Sequence, residues 1–149
     1  MSYDTFFNKE FLFDKPVTIK LKNEINKFAN TYHHPIDGFP GIWCQWIVSE
    51  DENGNSILCW DENEGFNDYV EWLKYLIEHF IEPAGYEING IVEYQGEEPD
   101  DFGLIEVNQN TVEQVFGIHV YDLDDKSITD QMLINELKSR GYTVIANKF

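Results

Sequence analysis

Basic residues are nearly missing from the middle of this chain. Between Gly41 and Asp125 stand 21 Asp or Glu residues and one cation, Lys74, a regional net charge of −20. Residues 1–40 balance five Lys against five acids, and residues 126–149 carry +2. A folded block so poor in cations repels nucleic acid and anionic membrane, and it attracts basic protein surfaces. Direct nucleic-acid binding and membrane binding are therefore excluded as expected functions. Cysteine is scarce too: Cys44 and Cys59 form no C-x-x-C and no metal-like spacing. A bridge between them across a hairpin is geometrically open, but buried free thiols are the expectation in a reducing compartment. No apolar run approaches the roughly 20 residues that span a bilayer. The segment Met1–Glu10 lacks the basic start, apolar stretch and small-residue cleavage site of a signal peptide. A cytoplasmic protein is expected.

The motifs of common catalysis are also missing. There is no G-x-G-x-x-G and no G-x-x-x-x-G-K-[ST], and the acidic surroundings would repel phosphate. His33, His34, His79 and His119 share no local motif with each other or with the cysteines, as a zinc site would require. The carboxylate runs Glu97–Asp101 and Asp122–Asp125 crowd oxygen ligands without the Gly and closing Glu of a calcium loop. Carboxylate pairs are abundant, but abundance marks no acid–base centre. The expectation is a protein with no cofactor, no metal and no enzymatic activity.

What is present is a foldable core. The 149 residues are 42% apolar and 15% aromatic, unlike a disordered acidic tail. Residues 1–40 read as a lead-in followed by one helix, opened near Lys15–Thr18 and striped by Ile19, Leu21, Ile25 and Phe28. Two Pro and two Gly within Pro35–Gly41 make a loop. Ile42–Val48 and Ser56–Trp60 read as a hairpin around Glu50–Asn55, in a register placing Cys44 opposite Cys59, Trp46 opposite Ile57 and Trp43 opposite Trp60. Asp68–Glu82 is the main helix, capped by Asn67 and stopped by Pro83-Ala84-Gly85. Its apolar face holds Tyr69, Val70, Leu73, Leu76, Ile77, Phe80 and Ile81.

Alternation in Tyr86–Glu97 sends Tyr86, Ile88, Val92 and Tyr94 one way and Glu87, Asn89, Glu93, Gln95 and Glu97 the other, with Ile91 the one apolar residue on the polar side. Phe102–Val107 and Thr111–Phe116 follow as a hairpin. The predicted fold is α+β: an antiparallel sheet of four or five strands packed on one main helix, with N- and C-terminal helical additions. An acidic domain over residues 1–121 (lead-in 1–40, core 42–116) is followed by a helix-strand unit at 122–149, with a helix from Ser127 and an edge strand at Tyr142–Ala146.

Several blocks recur in a recognisable order: Trp43-Cys-Gln-Trp46, Trp60-Asp-Glu62, Asp68–Ile77, Gly85-Tyr86, Asn89-Gly90, Val92–Glu97 and Asp101-Phe-Gly103. Over roughly residues 42–112 the chain resembles a group of small, acidic, uncharacterised proteins of bacterial genomes and phage-like elements. Ala84-Gly85-Tyr86 and Tyr94-Gln95-Gly96 depart from the group, which often has Trp-Gly-Tyr and Trp-Gln-Gly there. The group has no assigned activity and lends no site residue. The resemblance implies genomic company in which small acidic proteins neutralise host or rival proteins.

The candidate binding residues are accordingly acidic and aromatic. They are Glu50, Asp51 and Glu52 in the hairpin turn; Asp61, Glu62 and Glu64 after it; Glu97, Glu98, Asp100 and Asp101 in a later loop; and Glu93, Glu106 and Glu113 on the polar sheet face. Same-side strand residues lie roughly 6.6–6.8 Å apart, so a row of carboxylates would make a sparse imitation of nucleic-acid phosphates. Trp43 and Trp60 are the candidate anchors, because Trp is enriched at binding hot spots. The expected function is an inhibitor from a phage or mobile element that covers a basic surface on a nuclease, defence protein or other nucleic-acid-handling protein. The alternatives are an immunity-type protein neutralising a toxin, a non-catalytic adaptor docking through residues 122–149, and a plain soluble surface.

Overall fold

A computed structural model describes residues 3–120 and 145–148. Seven strands build one antiparallel sheet: β1 (Thr5–Asn8), β2 (Phe11–Phe13), β3 (Trp46–Glu50), β4 (Ser56–Trp60), β5 (Ile88–Gly96), β6 (Phe102–Asn108) and β7 (Thr111–Val120). The spatial order is β3-β4-β2-β5-β6-β7, with β1 also paired to β5. An eighth strand, β8 (Ile145–Lys148), lies parallel to the end of β7. Two α-helices, α1 (Ile19–Ala29) and α2 (Tyr69–Leu76), with a 3-10 turn at Pro35–Asp37 and a π turn at Ile77–Ile81, complete the described elements. The α+β class is as expected, with more sheet and a second helix of comparable weight. The predicted helix from Ser127 lies outside the described residues, and β8 begins near the end of the expected edge strand.

The extra strands come from the lead-in, where no strand is expected. Thr5-Phe-Phe and Phe11-Leu-Phe are rich in β-formers, and β1 and β2 pair with β5 in one unbroken register, Thr5 opposite Gly96 through Phe13 opposite Ile88. Between them the chain kinks at Lys9, whose φ is +74°. Only β2 goes on to pair with β4, at Phe11–Leu58 and Leu12–Ile57. Beyond that point β1 and β4 part.

The first hairpin takes a different register from the expected one. Trp46 stands opposite Trp60 and Ile47 opposite Cys59, a slip of three residues. An odd slip exchanges the faces. Trp46, Val48, Leu58 and Trp60 therefore share the core side, while Ile47, Cys59 and a still buried Ile57 lie on the opposite face of the sheet. The cause is the turn: the Asp51 carboxylate accepts the Asn53 and Asn55 amides, both at 2.9 Å, and the Asp51 amide donates to the Asn55 carbonyl. This closes the loop over fewer residues, with Gly54 at φ +82°. Residues 42–45 remain loop, and Cys44 and Cys59 are free thiols, one buried and one half-buried.

The main helix is shorter than expected and runs on as a π turn over Ile77–Ile81, closed by the Glu82 amide donating to the Ile77 carbonyl at 2.9 Å. Its cap residue is Asp68 rather than Asn67, in the left-handed region at φ +58° and with no side-chain capping bond. Val70, Leu73, Leu76, Ile77 and Ile81 are buried as predicted, and so is Trp72. In α1, Thr18 caps by accepting from the Leu21 amide at 3.2 Å, and Leu21 and Ile25 are buried, but Ile19 is exposed. Trp72, Phe39 and the buried His33 pack around Phe28 with Tyr75 and Phe80. His33 Nε2 lies 2.9 Å from the Phe28 carbonyl oxygen. Among the described residues no helix is long and apolar enough to cross a membrane.

Gly103 tests this packing. A Cβ there would collide with the Val115 carbonyl of the neighbouring strand and lie 2.7 Å from the Tyr94 hydroxyl. The backbone partner cannot yield without breaking the ladder. Gly103→Ala should destabilise the fold by about 3 kcal/mol, measured by urea denaturation.

Candidate functional site

After Trp60 the chain turns sharply over Asp61–Glu64, and this turn is the best-built acidic feature of the molecule. Asp61 Oδ1 accepts the Asn63 amide at 2.9 Å and Oδ2 the Asn63 side-chain N–H at 3.0 Å. The Trp60 indole donates to the Asn63 carbonyl at 3.1 Å, and the Gln45 amide group donates to the Glu64 carbonyl at 3.1 Å. The Asp61 amide in turn donates to the Gln45 carbonyl at 2.9 Å. Glu62 sits at the bend with φ +68°, a conformation that costs a residue with a Cβ about 1 kcal/mol.

The turn forms a ridge between two cavities. On one side is a groove of about 570 Å³ between β1 and β4, lined by Ile47, Ile57 and Cys59 together with Glu10, Asp61 and Glu62. On the other is a cavity of about 290 Å³ lined by Trp43, Gln45, Asp61 and Glu64. Trp60 borders the first and Trp43 the second. Trp43 is 45% exposed and meets Tyr32 edge-on at 5.7 Å. Trp60 is half-buried, held by Phe6 at 6.1 Å and Phe7 at 5.3 Å. Thus Trp43, Trp60, Asp61, Glu62 and Glu64 come together, although the two tryptophans are not the cross-strand pair that the sequence suggests.

The other candidate residues lie apart from this ridge, and several are engaged in holding the fold. Glu50 accepts both contacts of Lys22 Nζ, at 3.0 Å. Asp51 organises its turn, and the Asn55 amide holds its carboxyl below the usual carboxylate range. Glu52 is exposed at the tip of that turn. Glu93 accepts Asn8 Nδ2 at 3.0 Å and lies 3.8 Å from Lys9 Nζ. Glu97 accepts the Asp4 amide, and Asp101 accepts the Tyr3 hydroxyl at 2.7 Å, tying the N-terminus to the loop that also holds Glu98 and Asp100. Glu106 stands directly opposite Glu113, beside a cavity of about 380 Å³.

The expected acidic row across the sheet is broken. Glu93 pairs with Leu104, and Leu104 with Val115, before the Glu106–Glu113 pair is reached. Phe6, Leu12 and Ile91 are also exposed on this face. Charge is gathered at loops instead. Lys9–Glu93 and Lys22–Glu50 form ion pairs, and among the described residues no three His, Cys, Asp or Glu side chains are placed to hold a metal ion.

Sequence reasoning missed Lys9, Glu10 and Cys59 as parts of the groove, because it left residues 5–13 without strands. The signal was there in the two Phe-containing clusters either side of Lys9-Glu10. No family model, curated protein or solved structure matches this chain.

The cysteines are poor nucleophiles. Burial pushes the Cys44 thiol from 9.0 up to about 12, and the half-buried Cys59 thiol up to about 11. Both shifts favour the neutral form in the folded state. Their stabilising contribution is complete below pH 9 and is lost as pH rises through about 11–12. Unfolding followed by circular dichroism should show stability falling over that alkaline window, with a shallower fall in Cys44→Ala.

Proposed function

We propose that this protein is an acidic, non-catalytic inhibitor that covers a basic, nucleic-acid-binding surface of a partner protein such as a nuclease or defence factor, in the cytoplasm of a host cell. The observation that carries this reading is the Asp61–Glu64 ridge, where three carboxylates with no cation paired to them among the described residues stand between two cavities, each bordered by a tryptophan. Unpaired surface charge steers encounter with a basic partner and speeds association. Indoles beside it supply the anchoring area that charge alone does not. Blockade is then steric and electrostatic: carboxylates compete for the cations that would hold phosphates. The ridge supports this better than a phosphate-like row, since the sheet face interleaves Glu with Leu and Ile.

Retention of a basic protein by the tagged chain tests the reading. A nuclease, polymerase or defence protein should be captured from bacterial lysate at low salt and released as salt approaches about 0.5 M, where screening is short-ranged. Capture of neutral or acidic proteins alone, indifferent to salt, would defeat it.

Glu62 gives a second, independent check. Asn tolerates the left-handed conformation better than Glu, so Glu62→Asn should stabilise the protein by ~0.5–1 kcal/mol. The same change should weaken partner binding about threefold, within the range of one exposed charge pair. Thermal unfolding and partner titration read the two effects separately.

A further inference from the structure

The groove between β1 and β4 is created by the backbone rather than left over from packing. Two of the chain's left-handed non-glycine residues, Lys9 (φ +74°) and Glu62 (φ +68°), line it. Lys9 turns the chain between β1 and β2; Glu62 turns it after β4. Between these bends, strands whose neighbours are paired at Phe11–Leu58 part and leave about 570 Å³. That volume is within the range of sites that enclose a ligand or peptide segment.

The chemistry of the lining is divided. Ile47, Cys59 and the ring of Trp60 give apolar surface over the buried Ile57, and Phe6, 62% exposed, meets Trp60 edge-on at 6.1 Å. Glu10, Asp61 and Glu62 supply three carboxylates. The one cation among the described lining residues, Lys9, lies 3.8 Å from Glu93. The two oxygens of Asp61 each take one N–H from Asn63 and keep a further lone pair. An occupant that satisfies both halves is apolar along one side and cationic along the other. Arginine fits the charged half better than lysine, because its planar guanidinium is weakly hydrated, stacks on indole and bridges carboxylate oxygens.

We propose that this groove binds an extended, arginine-bearing segment of the partner protein, its apolar side chains on Ile47, Ile57 and Cys59 and its guanidinium groups between Trp60 and the carboxylates of Glu10, Asp61 and Glu62. An extended chain sends successive side chains to opposite sides, which matches a lining divided in this way. The proposal rests on the basic-partner reading and assigns that partner's segment to one place.

The probe is a blocked pentapeptide of alternating valine and arginine, titrated into the full chain and followed by backbone and indole NMR. Expected are shifts at Phe6, Lys9, Cys59 and the Trp60 indole. Alkylation of Cys59 at pH 9 should also slow at least threefold, with buried Cys44 as the internal reference. Glu10→Gln combined with Glu62→Gln should weaken the peptide about tenfold, and lysine in place of arginine should weaken it at least threefold. Shifts confined to Glu97–Asp101 or to Glu106 and Glu113 would overturn the groove assignment while leaving a basic partner standing. So would a silent peptide alongside a salt-sensitive basic protein captured from lysate. Equal affinity for the lysine peptide would overturn the guanidinium assignment. Failure of both the peptide and the lysate to supply a basic binder would overturn groove and function together.

Discussion

Strand β5 is the piece on which the rest of the molecule leans. It accepts β1 and β2 along one edge in a single register and β6 along the other, so nine residues order three strands. Its inward side chains, Ile88, Val92 and Tyr94, are buried against the aromatic core, where Phe7 meets Trp46, Trp60, Phe66 and Tyr69 at 5.0–5.6 Å. Gly90, at φ +142°, permits a close approach of β2: a Cβ there would stand 3.1 Å from the Glu10 carbonyl and 3.3 Å from Phe11 Cα. Because β5 holds both β1 and β2, the kink at Lys9 cannot shift their register. It can only move the far edge of β1 away from β4. The groove is the geometric remainder of that constraint.

Charge distribution adds a second constraint. A block with one cation among 21 acids cannot neutralise itself locally, and its self-repulsion opposes the compact state. Beside the Lys9–Glu93 and Lys22–Glu50 pairs, the structure answers with backbone and side-chain donors. Asp51 and Asp61 each hold amides of their own turns, Glu97 takes the Asp4 amide, and Asp101 takes the Tyr3 hydroxyl. Such bonds fix the position of a carboxylate without cancelling its charge. The loops are ordered and still strongly negative.

Legibility in the sequence followed the strength of local periodicity. The alternation of Tyr86–Val92–Tyr94 against Glu87–Glu93–Glu97 identified β5 and its buried face, and the apolar stripe of residues 69–81 identified the main helix. The hairpin register was not legible, since Trp43, Trp46, Ile47, Leu58 and Trp60 make both faces apolar and the pattern cannot choose between them. The Asx turn at Asp51 made that choice. The strands of residues 5–13 were hidden because each is short and a left-handed lysine separates them. For the candidate site, Trp43, Trp60, Asp61, Glu62 and Glu64 were legible as residue types, but their convergence was not. It depends on Gln45 gripping the 60–64 turn from a loop fifteen residues away.

A surface selected for solubility alone needs charge that is numerous and scattered, and it needs no strained backbone and no exposed rings. Glu52, Glu71, Glu78 and Glu82 fit that description, being exposed on a turn or on the outer side of a helix. The Asp61–Glu64 ridge does not. Glu62 keeps a left-handed conformation that Gly or Asn would adopt more cheaply, and Lys9 does the same across the groove. Trp43, 45% exposed, lines the cavity beside Asp61 and Glu64, and Phe6, 62% exposed, meets Trp60, although complete burial of such a side chain is favourable by about 1.5–3 kcal/mol. Strain, exposed aromatic area and unpaired charge each oppose the free folded state, and here they coincide within one turn and its two cavities. Their coincidence is what separates this ridge from the rest of an acidic surface, and the proposed contact with a basic partner would relieve the last two at once.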